Sequence, residues 1–228
     1  MRRYNNYIPI FFINIVIILI LSCSTGYNKP ADQYFKEGLL FYNRMDYDRS
    51  IESFNRVLEL APYGKDNNIV YYNKGMAHYK NRQYDKSIYD FTKALELTSG
   101  EEKKLKFDIL VARGHAYHRS KELDYAMKDY SDALQLSPRH KDIKFIYTNK
   151  AAIWFANGKY EKAIDNLDKA ITIDPKFDSA YYERARVWFQ KEDFQRALID
   201  AKEAVKLKPA NKKYDDLLYE IKSSMNKD

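Results

Sequence analysis

His115 and His118 stand three residues apart in the stretch DILVARGHAYHRS, with Asp108 at its head. On a helix that spacing puts both imidazoles on one face, where a third donor would complete a metal site. No third ligand is set by spacing, so the pair and Asp108 read as polar residues facing a groove. The only thiol, Cys23, has no partner for an internal disulfide, and one cysteine excludes a zinc site built from cysteines. No histidine is paired with a recognisable nucleophile, and neither GxSxG nor HExxH occurs. The scattered Asp and Glu residues suit exposed i, i+4 helix pairs. The expectation is a chain with no catalytic residue, metal, cofactor or small-molecule substrate. What remains is a thiol near the N-terminus and a binding surface.

The thiol lies at the end of a leader. Arg2 and Arg3 open the chain, and Ile8 to Leu21, IPIFFINIVIILIL, is apolar except for Pro9 and Asn14. Fourteen residues make roughly 21 Å of helix, short of the ~20 residues that a bilayer core needs. A cationic start, a short apolar core and small residues form the layout of a secretory signal peptide over residues 1–22. The last four residues, Ile20-Leu21-Ser22-Cys23, resemble the bacterial lipobox. That resemblance implies a lipid on the Cys23 thiol, cleavage before Cys23, and a lipidated tether over 23–30. Two or three acyl chains on one residue anchor stably where one is marginal. The implied location is the bacterial cell envelope, on a membrane. Ser24, rather than an aspartate, after the cysteine favours the outer membrane. The formal charge of +7 falls to +5 once Arg2 and Arg3 leave, and the charges are dispersed. Nucleic acid is not expected as a partner of an exported chain.

The elements that position the surface repeat along the chain. YDRSIESFNRVLELAP (47–62), YDKSIYDFTKALELTS (84–99), LDYAMKDYSDALQLSP (123–138), YEKAIDNLDKAITIDP (160–175) and FQRALIDAKEAVKLKP (194–209) align without gaps. Each carries a small residue at its fourth position: Ser50, Ser87, Ala126, Ala163, Ala197. Offsets of 0, 3, 7 and 10 lie on one helical stripe, and a proline or Ser99 ends each stretch. A second stripe precedes each: Tyr34, Gly38, Phe41; Tyr71, Gly75, His78; Leu110, Gly114, Tyr117; Tyr147, Ala151, Trp154; Tyr181, Ala185, Trp188. Each unit is thus predicted to be two antiparallel helices that touch at the small residues, where an interaxial distance near ~8 Å leaves no room for a large side chain. Gly158 is expected in a turn. Trp154 is placed in the core.

This pattern is similar to the tetratricopeptide repeat, a helix–turn–helix unit of about 34 residues with small and aromatic signature positions. The resemblance implies an all-α, right-handed α-solenoid of about five repeats, at 31–64, 68–101, 107–140, 144–177 and 178–211, within a repeat domain over 31–210. Residues 211–228 would hold a capping helix, with Tyr214, Leu217, Leu218 and Ile221 on its apolar stripe, and a short tail. In such arrays the first helices line a concave groove. The groove-facing candidates are Phe35, Leu39 and Tyr42 in the first repeat and Tyr72, Met76 and Tyr79 in the second. The third offers His115, His118 and Arg119, the fourth Phe145, Thr148 and Phe155, and the fifth Tyr182, Arg186 and Phe189. Aromatic and arginine side chains are the usual anchors of protein interfaces. The family's carboxylate clamp is not expected, because Phe35, Leu39, Asp108 and Ala112 depart from it and only Asn73 fits. The implied function is a lipid-anchored scaffold for a protein or peptide partner. A narrower alternative is an accessory lipoprotein of outer-membrane protein assembly or of pilus assembly.

Overall fold

The computed structural model of the chain describes residues 29–226. Cys23, the leader and the tether lie outside the described residues. All regular structure among the described residues is α-helical, in eleven helices. In chain order these are α1 (Lys29–Asn43), α2 (Tyr47–Leu60), α3 (Asn67–Lys80), α4 (Tyr84–Leu97), α5 (Lys103–Ser120), α6 (Leu123–Leu136), α7 (Ile143–Ala156), α8 (Tyr160–Ile173), α9 (Asp178–Gln190), α10 (Phe194–Leu207) and α11 (Lys212–Met225). They form two compact units, an N-terminal one over 29–138 and a C-terminal one over 139–226.

One turn is used five times. Met45, Arg82, Lys121, Gly158 and Glu192 all have positive φ, between 59° and 69°. The next residue's N–H reaches back five residues to a helix carbonyl: Asp46 to Phe41, Gln83 to His78, Glu122 to Tyr117, Lys159 to Trp154 and Asp193 to Trp188, at 2.9–3.0 Å. This is the Schellman closure, which satisfies the last carbonyls of a helix and reverses the chain. The Asp46 and Asp193 carboxylates then cap α2 and α10 by accepting from the Arg49 and Arg196 backbone N–H groups, at 3.3 and 3.1 Å.

Within each hairpin the crossing residues meet as the small-residue stripe requires. A Cβ added at Gly38, Gly75 or Gly114 would lie 2.7–2.8 Å from the ring of Phe54, Phe91 or Tyr130. The Ser50 and Ser87 hydroxyls tie the crossing by donating to the Gly38 and Gly75 carbonyls, both at 2.8 Å. In the N-terminal unit α2 also packs on α3 and α4 on α5, so each hairpin shares its second helix with the next. The C-terminal unit repeats the scheme with Ala151, Ala163, Leu167, Ala170, Ala180 and Val187 in its core. It ends on α11, whose Leu217 and Ile221 cover Ala185, Ala197 and Ala201. Tyr214 is buried as well, and Leu218 half-buried.

Candidate functional site

The first helices α1, α3, α5, α7 and α9 carry the candidate surface, and the structure divides its residues sharply. Phe35, Tyr72, Tyr79, His115, His118 and Thr148 are interior, each at 7% exposure or less. They are corrections to the expected groove. Phe35 and Tyr72 pack on Phe54 and Phe91, with centroids 5.8 and 5.9 Å apart, and Tyr79 on Tyr84 at 5.5 Å. The cause is geometric. Helices α3, α5 and α9 each lie between their own second helix and the preceding one, so they bury more than one stripe. Trp154 is corrected the other way. It is half-buried, with Lys162 and Lys159 ammonium groups 4.7 and 5.2 Å from its ring. Trp188 is its counterpart, under the Arg196 guanidinium at 4.6 Å.

The remaining candidates keep a solvent-facing side. Leu39, Tyr42 and Met76 are half-buried and Arg119 is exposed in the N-terminal unit. Arg119 Nε donates to Tyr84 Oη at 3.2 Å and its guanidinium lies over that ring. In the C-terminal unit Phe145, Phe155, Tyr182, Arg186 and Phe189 are all half-buried. Phe155 packs on Tyr160, Phe189 on Phe194, and Tyr182 stacks on Tyr214 of α11 at 4.8 Å. Arg186 lies over the Phe155 ring at 5.2 Å and donates from Nη1 to Glu183 Oε2 at 2.6 Å.

His115 and His118 are held neutral. Burial drives the His115 value down to about 3, with the His118 charge second; burial and then Arg119 drive His118 down to about 4. Asp108, the third polar residue of this stretch, is 4% exposed. Among the described residues no group of three His, Cys, Asp or Glu is arranged to hold a metal. None of the described helices is long and apolar enough to cross a membrane.

A set of charged residues that the stripe reading passed over is buried between helices. Arg113 donates from Nε and Nη2 to both oxygens of Asp129, each at 2.8 Å, and from Nη1 to Thr92 Oγ1 at 3.1 Å. Arg184 holds Asp200 the same way, at 2.7 Å twice, and reaches Asp168 at 2.5 Å. Lys74 pairs with Asp90 at 3.0 Å and reaches Asn55 at 3.3 Å. Each cation thus joins its own second helix to that of the preceding repeat. These aspartates are not exposed helix-face charges, as expected above: Asp90, Asp129 and Asp200 are 1%, 2% and 4% exposed. The signal was present. The cation stands directly before the crossing residue, and the aspartate sixteen positions later, directly before the ring or alanine it meets.

Comparison with known proteins bears on this repeated geometry. Profiles described as tetratricopeptide repeats match residues 69–98 and 107–140, and one described as TPR repeat matches 152–192. Those three stretches carry tetratricopeptide repeats. No curated protein sequence matches it. Among solved structures, MamA from Desulfovibrio magneticus RS-1 aligns with a TM-score of 0.68 at 16% identity, covering 81% of this chain and 98% of that one. Pseudomonas aeruginosa PilF aligns at 0.70 with 15% identity, covering 88% and 86%. YrrB, titled a tetratricopeptide-repeat protein with an unusual peptide-binding site, aligns at 0.61 with 18% identity, covering 81% and 89%. At such identities the likeness is one of fold, an all-α array of stacked repeats, the architecture expected from the sequence. The repeats support a role as a scaffold for protein–protein interaction.

Proposed function

We propose that this chain is a lipid-anchored tetratricopeptide scaffold that holds a protein or peptide partner at a membrane of the bacterial cell envelope. The observation that carries the binding part is the row of half-buried rings with arginine on the first helices of the C-terminal unit, Phe155, Tyr182, Arg186 and Phe189. Such side chains offer large contact area and still reach solvent. YrrB supports the idea that this fold accommodates a peptide. The anchoring part rests on the lipobox-like ILSC ending of the leader and on Cys23 being the only cysteine. Outer-membrane attachment rests on Ser24 alone. The narrower reading, an accessory lipoprotein of outer-membrane protein or pilus assembly, rests on the count of five hairpins; co-purification of such an assembly would support it.

Two measurements test the proposal. Cys23→Ala should abolish incorporation of a labelled acyl chain and leave the leader uncleaved; labelling at the wild-type level would sink the anchor. A photo-crosslinking residue at Phe189 should capture a discrete partner in living cells, and one at exposed Tyr63, outside the row, should not. Equal capture from both positions would remove the row as the binding surface.

A further inference from the structure

One end of the C-terminal unit is charged with a single sign. The helices of this unit run alternately up and down, so the starts of α7, α9 and α11 and the ends of α8 and α10 share that end. Arg139 and Lys141 lead into α7, and Lys176 stands in the loop between α8 and α9. Lys208 stands in the loop between α10 and α11, and Lys212 and Lys213 open α11. All six are exposed. The carboxylates of this end are drawn inward. Asp142 is buried. Asp174 and Asp178 are half-buried; the first accepts from Lys144 Nζ at 2.5 Å and the second from the Tyr214 hydroxyl at 2.6 Å. No exposed Asp or Glu falls within 137–143, 173–178 or 207–213.

Basic composition alone does not produce this. At the opposite end of the same unit, exposed Glu161 and Glu192 are interspersed with Lys159, Lys162 and Arg196. In the N-terminal unit the loop before α5 sets exposed Glu101 close to Lys103 and Lys104. Five of the six cations are lysines, compact hydrated charges on flexible stems, whereas a site that fixes one carboxylate or phosphate in a set geometry favours the arginine fork. Spread over three loops, they suit an extended anionic plane better than a single acidic side chain. Apolar tips stand among them: Ile173 is 40% exposed, and Pro175 and Pro209 are exposed. Cations around a small apolar tip match the headgroup layer of a bilayer, which is charged outside and apolar just beneath.

We propose that this end of the C-terminal unit rests on the headgroups of an anionic phospholipid bilayer, as a second membrane contact beside the lipid on Cys23. The proposal rests on the reading of the chain as held at a membrane, and it names the surface that meets that membrane. Each cation close to such a surface strengthens attachment by roughly fivefold, and the effect fades within a Debye length.

The test is vesicle co-sedimentation of the full chain carrying Cys23→Ala, which removes the acyl chains and leaves the apolar leader to bind all vesicles alike. The vesicles are phosphatidylcholine alone, or phosphatidylcholine with about one-third phosphatidylglycerol. Partition onto the anionic vesicles should be about tenfold stronger or more, and the preference should vanish in about 0.5 M salt. Lys141→Gln, Lys176→Gln and Lys212→Gln together should remove most of it. Lys159→Gln, Lys202→Gln and Lys222→Gln remove the same charge elsewhere on the unit and should leave it within about twofold. Circular-dichroism melts should show both sets folded. Equal losses from the two sets would make net charge the cause and overturn the proposal. Equal partition onto neutral and anionic vesicles would overturn it as well, and micromolar binding of a labelled glutamate nonapeptide in that case would assign the face to an acidic partner segment. If Cys23 is acylated in cells and the vesicle preference is absent, the anchor stands and this contact falls. If the preference is present and Cys23 takes no acyl chain, the contact stands without the anchor.

Discussion

At the scale of single residues, the helix crossings and the turns make opposite demands. Gly114 has no room: a Cβ would sit 2.7 Å from Tyr130 Cε1, on a ring that is fully buried and cannot retreat. Gly114→Ala should therefore cost ~1–3 kcal/mol of unfolding free energy by overpacking. Gly100, with nothing within 4 Å of an added Cβ, is the control, and Gly100→Ala should leave a denaturant midpoint unchanged. Equal midpoints for the two variants would contradict the crossing. Gly158 has space but sits at φ +69°, where an L side chain is strained. Gly158→Ala should cost ~1 kcal/mol. The same turn holds Glu192 at φ 63°, so Glu192→Gly should stabilise by ~0.5–1 kcal/mol, since strain relief exceeds the entropy that glycine adds to the unfolded chain. A melt in which Glu192→Gly unfolds earlier than wild type would reject that balance.

At the scale of the helix pair, the crossing was legible and the facing was not. Small residues repeat at fixed offsets, and nothing else explains Gly38, Gly75 and Gly114 in register, so the hairpins and their contact points could be read directly. Inside and outside could not. Tyr79 was placed on the wrong side because a helix packed between two neighbours buries two strips of its surface and its apolar periodicity flattens, and Trp154, expected fully inside, packs half-buried at the edge of the core. Tyr42, Phe155 and Phe189 stay partly open on the same helices. The ion pairs were missed for a different reason. A lysine or arginine in a helical pattern is ordinarily taken as solvated, and only the place of α5 and α9 between two second helices makes Arg113 and Arg184 interior links. Such links follow the arithmetic of buried charge: removing one partner strands the other, whereas replacing both with apolar residues can be neutral. Asp129→Ala should therefore cost ~3 kcal/mol or more, and Arg113→Met with Asp129→Leu should recover most of that loss. Chemical denaturation of the three variants decides it. If the double variant is as unstable as the single one, the bridge contributes through its geometry and not only by avoiding a stranded charge.

At the scale of the whole chain, acid should separate the two units. Three of the four histidines, His78, His115 and His118, lie in the N-terminal unit, and all three have values lowered chiefly by burial, His115 to about 3 and His118 to about 4. Folding depresses these values below the ordinary 6.5. The stability these groups contribute is thus complete above about pH 6.5 and is lost as the pH falls toward 4, because the unfolded chain takes up protons that the folded one refuses. At pH 5 the loss reaches up to about 2 kcal/mol for each of His115 and His118. Asp90, in the same unit, acts in the opposite direction. Burial raises it to about 6, against the pull of Lys74, so it favours the folded state more as pH falls through 6 and offsets part of the loss. The remaining histidine, His140, is half-buried in the C-terminal unit, where its Nδ1 accepts from the Asp142 backbone N–H at 3.3 Å. Hydrogen exchange at pH 5 and pH 7.5, read by mass spectrometry on peptic fragments, should show residues 107–136 losing protection on acidification while 178–207 keep theirs. His115→Gln with His118→Gln removes both titrating groups and should flatten that dependence, whatever it does to stability at neutral pH. Loss of protection in 178–207 first, or an unchanged pH dependence in the double variant, would show that buried histidine is not what limits the N-terminal unit in acid.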